Sequence, residues 1–140
     1  MFDDTGGGDD GGGFGSWFSR PHYYILDGHL PLPCGDFMRW AVWVARTNRR
    51  IATTKIRGLC VSTVFLGIDS GFRGPPLLFE TMAFRSGRGG VQTRSSTWDE
   101  ALSEHKRMVK AARYACRPRA LASFDANERD AIRGAFRLDE

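Results

Sequence analysis

A chain of 140 residues with 41% apolar residues and a net charge of +4 is long enough for one domain around one core. Its longest apolar run, Trp40 to Ala45, is too short for a membrane-spanning helix, and the start Met1-Phe2-Asp3-Asp4 is acidic with no apolar stretch behind it, which argues against a secretory signal. Three scattered cysteines (Cys34, Cys60, Cys116) make neither a disulfide framework nor a CxxC metal pair, so the expectation is a soluble cytoplasmic protein with reduced thiols and with Cys60 buried in a strand.

Charge is unevenly placed. Residues 1–20 hold four aspartates and one arginine, a net −3, which leaves +7 for the remainder. The glycine triplets at 6–8 and 11–13 cannot bury enough apolar surface to offset chain entropy, so residues 1–20 read as a disordered Gly/Asp-rich arm. Phe14, Trp17 and Phe18 close the arm as candidates for docking onto the core or a partner. A calcium loop is not expected, because the alternating ligands and closing Glu are missing.

The α+β domain is expected over residues 21–116. Tyr23 to Leu26 has strand composition, and Leu30-Pro31-Leu32-Pro33 reads as extended and irregular. Asp36 is an N-cap candidate for a helix over 36–47. In it Phe37, Trp40, Ala41 and Val44 repeat at helical spacing, and Met38, Val42 and Trp43 widen the stripe, so this helix is expected to be buried on more than one side. Ile51–Ile56, the turn Arg57-Gly58 and the run Leu59–Ile68 predict a hairpin, with the second strand central in the sheet. A strand over 77–84, a Gly/Arg turn over 85–90 and a short edge strand over 91–95 follow. Thr97-Trp98-Asp99-Glu100 is a capping box opening a helix to Ala115, whose apolar stripe is Trp98, Ala101, Leu102, His105, Met108, Val109 and Ala112. Residues 117–140 read as a basic linker and a weak helix from Asp125, carrying Ile132, Ala135 and Phe136. The fold class is therefore α+β, a small antiparallel sheet with two helices packed on one face.

Several stretches resemble a family of small uncharacterised proteins encoded mainly by bacteriophages and prophages. They are Arg50-Ile51-Ala52-Thr53-Thr54, the strand Val61 to Asp69, the segment Gly74 to Met82, and Ser96 to Ala101 with His105 one turn on. The aromatic helix around Trp40 is also similar. This chain has Ser70, Ser95 and Glu104 where the family often has His, Tyr and Gly. The resemblance implies a phage origin and a single α+β domain, and implies no particular activity.

No catalytic, cofactor or metal constellation emerges from the residues. His22, His29 and His105 are dispersed with no HxxxH spacing, and no GxSxG or Walker pattern occurs. Two polar residues stand out as a possible site for a small enzyme. Glu80 lies mid-strand among apolar residues, where it is either a general base or an outward carboxylate paired with a neighbouring Arg. His105 lies on an apolar stripe, where the plain expectation is a core-edge imidazole bonded to backbone. The loop 67–76 is either a small anion nest or a simple connection between strands.

Two basic segments free of acids are the remaining signal: Arg46, Arg49, Arg50, Lys55 and Arg57, then Lys106, Arg107, Lys110, Arg113, Arg117 and Arg119. Brought to one face they would form a nucleic-acid footprint; on an amphipathic helix they would simply be its wet side. The functional expectation is a non-catalytic accessory protein of phage type that binds a host or phage macromolecule, most readily a protein, with nucleic acid as the alternative and without cofactor or membrane.

Overall fold

The computed structural model describes residues 22–71, 73–85, 88–117 and 125–136. The expected arm over 1–20 and Arg119 lie outside these residues. The centre of the fold is an antiparallel meander of β3 (Arg50–Ile56), β4 (Leu59–Phe65), β5 (Phe79–Arg85) and β6 (Arg88–Ser95), in that spatial order. Arg57 and Gly58 join β3 to β4 with φ of 42° and 86°, the positive pair that a two-residue hairpin turn needs to match strand twist. β4 is central, as its composition predicts, and alternates strictly: Leu59, Val61, Thr63 and Phe65 are buried on one face.

That face is covered by α2 (Trp98–Ala115), which starts as the sequence predicts. The Thr97 hydroxyl accepts from the Glu100 backbone N–H at 3.2 Å, and the Glu100 carboxylate accepts from the Thr97 backbone N–H, also at 3.2 Å. α3 (Ala126–Phe136) has a similar reciprocal cap between Asp125 and Glu128 and closes one end of the core with Phe136.

A second, two-stranded sheet precedes the meander. β1 (Tyr24–Asp27) pairs with β2 (Leu30–Pro33), so the segment expected to be irregular is a paired strand. Prolines at 31 and 33 are tolerated because a two-stranded ribbon has outward edges that need no N–H. The hairpin is tied to the end of β4: Tyr24 N–H donates to the Gly67 carbonyl, and Asp69 N–H to the His22 carbonyl, both at 2.9 Å. His29 in its turn stacks flat on Trp98, with ring centroids 3.9 Å apart.

α1 (Phe37–Arg46) is capped by Asp36, whose carboxylate accepts from Met38 and Arg39 N–H. Its tryptophans face inwards. Trp40 Nε1 donates to the Gly67 carbonyl at 2.9 Å, and Trp43 meets Phe65 edge to face. The expectation that this helix is buried on more than one side fails, because none of its residues is buried and Phe37, Met38 and Val42 are exposed. Cys60 lies in a strand, β4, as expected, but is half-buried on the other sheet face rather than buried; the buried cysteine is Cys34.

Candidate functional site

The core is divided by a polar layer. At one end Leu59, Val61, Ala83, Met108, Ala112 and Phe136 pack together; at the other, Tyr24, Phe65, Leu78, Phe79 and Ala101. Between them lie Thr63 of β4, Thr81 of β5 and His105 of α2, all buried. Strand register places Thr63 opposite Thr81, and their hydroxyls are 2.7 Å apart. The His105 Nδ1 atom is 2.8 Å from the Thr63 hydroxyl, and Nε2 is 2.9 Å from the Thr54 hydroxyl on β3. Hydroxyls both donate and accept, so either neutral tautomer of the ring is served. Burial pushes the His105 pKa down, favouring that neutral form. Its partners are side chains on two strands, β3 and β4, not the backbone group expected from the sequence.

Glu80 and His105 do not meet. On β5, Thr81 turns to α2 and Glu80 therefore turns to the opposite face. There Arg94 Nε, directly across on β6, donates to the Glu80 carboxylate at 3.1 Å, and Arg94 Nη1 donates to the Ser70 hydroxyl. The sheet stands between acid and imidazole, so the two form no common site. The loop after β4 offers no nest through Gly71 or Leu77 either, since the Asp69 carboxylate accepts both of their N–H groups.

The basic residues divide by position. Five gather along one edge, where β3 borders α2. The Arg57 guanidinium donates to the Cys116 carbonyl at the end of α2, beside exposed Arg117. Lys106, Lys110 and Arg113 line a groove of about 350 Å³ with Thr54, His105 and Val109. Their spacing of four and three residues stacks them on one helical face. The others serve elsewhere. Arg49 donates to the Phe65 and Leu66 carbonyls and so fastens the start of β3 to the end of β4. Lys55 points away from α2, because neighbouring Thr54 points towards it. Arg107 is paired with Glu104 at 2.7 Å on the far side of the helix. Arg46 and Arg50 sit near the opposite end of β3.

Sequence reasoning missed the polar layer and a second hollow. The latter, about 820 Å³, lies between β6, α2 and α3, with Val91, Met108, Tyr114, Ile132 and Phe136 in its lining. The sequence signals for the layer are His105 on the apolar stripe of its helix and Thr63 and Thr81 at inward positions of their strands. Among the described residues no helix is long and apolar enough to cross a membrane. No protein-family model matches the chain, and no curated protein or solved structure matches it significantly.

Proposed function

We propose that this chain is a non-catalytic accessory protein of bacteriophage type, working in the host cytoplasm by binding a host or phage macromolecule through the β3–α2 edge. The observation that carries this reading is the gathering of Arg57, Lys106, Lys110, Arg113 and Arg117 along one edge, in segments that contain no acid. Such a concentration of one sign steers an anionic partner towards it and raises the association rate. The imidazole beside the groove is engaged on both nitrogens by threonine hydroxyls, a structural arrangement that leaves recognition to the cations. A protein partner is expected to present an acidic face.

Nucleic acid is the second reading. Its specific support is the Thr54 hydroxyl beside the row of Lys106, Lys110 and Arg113, since phosphate oxygens are held by that mixture of donors. Fluorescence anisotropy with a 30-mer single strand and a 30-base-pair duplex, at 50 and 200 mM salt, separates the two. Binding that weakens steeply with salt, with a slope reduced by about one for each of Lys110→Gln and Arg113→Gln, supports nucleic acid. Indifference to both probes at low salt removes it. The protein reading then requires capture of a defined acidic partner that Lys106→Glu/Lys110→Glu abolishes and that Lys55→Glu, on the other sheet face, preserves. Equal loss in both variants would defeat the assignment of the edge.

A further inference from the structure

Helix α1 turns an apolar stripe outwards. Met38 is 67% exposed and Phe37 53%, and Val42 lies one turn beyond Met38. The stripe continues past the helix. Tyr23 lies 5.5 Å from Phe37 between ring centroids, and its bridge to Ile68 sets that exposed side chain beside it, since paired residues of antiparallel strands share a face. Contiguous exposed apolar surface of this kind marks a contact.

Two properties of the chain say what makes that contact. The first is reach. His22 is fixed at the margin of the patch by the hydrogen bond from Asp69 N–H to its carbonyl, and Phe18, Trp17 and Phe14 lie four to eight residues before it. At no more than about 3.5 Å per residue, Phe18 stays within about 14 Å of His22 and Phe14 within about 28 Å. A tether this short gives the rings an effective concentration on the order of millimolar at the patch. The second is charge. Residues 1–13 carry four aspartates and no base, whereas α1 carries Arg39 and Arg46 and no acid.

We propose that Phe14, Trp17 and Phe18 of the same chain seat on the patch made by Phe37, Met38, Val42 and Ile68, with the aspartates before them facing Arg39 and Arg46. The contact is intramolecular and covers surface that α1 leaves unpartnered by the rest of the described fold.

The test uses the full chain labelled with ¹³C on its methionine methyl groups, which places reporters at Met1, Met38, Met82 and Met108. Met82 is half-buried on the opposite sheet face and Met108 is in the core, so both are internal controls. Replacing the rings by Phe14→Ser/Trp17→Ser/Phe18→Ser should move the Met38 resonance towards that of an exposed methionine and leave Met82 and Met108 in place. Charge removal by Asp9→Asn/Asp10→Asn should move Met38 part of the way. The proposal is overturned if Met38 does not respond to the ring substitutions, or if Met82 responds in its place. It is equally overturned if the wild-type Met38 shift disappears on dilution, which would make a second copy the occupant.

Discussion

Removing the Thr63 hydroxyl tests the polar layer most directly. Thr63→Val keeps the shape of the side chain and leaves two buried groups without their partner, His105 Nδ1 and the Thr81 hydroxyl. An orphaned buried polar group costs about 1–3 kcal/mol. The Thr81 hydroxyl can rotate and recover part of this, so the two together should destabilise the fold by about 2–4 kcal/mol. With a urea dependence of about 2 kcal/mol per molar, the middle of the range for a small domain, the unfolding midpoint should fall by about 1–2 M. The companion variant Thr63→Val/Thr81→Val/His105→Leu removes every buried member of the layer together. Because replacing all partners by apolar groups can be nearly neutral, it should lie within about 1 kcal/mol of wild type, well above the single variant. Thr54 loses its partner too, but it is half-exposed and water can serve it. The reasoning is refuted if Thr63→Val shifts stability by less than about 0.5 kcal/mol, or if the triple variant falls below the single one.

Three further outcomes are expected. Since burial lowers the His105 pKa in the fold, the unfolded chain takes up the proton first as pH falls, so this contribution is whole above about pH 6.5 and declines below it. Urea midpoints of wild type and His105→Asn between pH 8 and pH 5 should therefore converge on acidification, and a constant difference would contradict the assignment. A Cβ at Gly90 would stand 2.7 Å from the Ala83 carbonyl oxygen and 3.1 Å from that of Ala135, so Gly90→Ala should cost about 1–3 kcal/mol and raise hydrogen exchange in α3 before the rest of the sheet. Glu80→Gln breaks only a partly exposed pair with Arg94 and should change stability by less than about 1 kcal/mol in the same urea assay.

Local chemistry made much of the fold legible. The Thr97–Glu100 cap, the Asp36 cap and the β-branched hairpin around Arg57-Gly58 are short-range signals, and each element stands where they point. Outward Glu80 was also readable, because alternation with Phe79 fixes its face and an Arg stands on the adjoining strand. Readings that depend on what lies across from a residue did not carry. The stripe on α1 looked like core because apolarity in sequence does not say which side has a neighbour. His105 looked ready for a backbone partner, whereas its partners are three-dimensional, supplied by β3 and β4. The two basic runs looked equivalent residue by residue. Strand alternation then sent Lys55 to one side and Thr54 to the other, and Arg49 went to carbonyls at a strand end.

β3 is the outer strand of the four-stranded sheet, and among the described residues no strand pairs with its free side. Such a rim is a template on which further copies could add and grow into an aggregate. Arg50 and Lys55 stand on it as exposed cations, with Arg57 at its end. Two copies approaching rim to rim would bring like charges together, which disfavours that pairing. Neutralising this border to probe recognition therefore carries a second effect, a loss of colloidal stability, which light scattering would register independently of any partner.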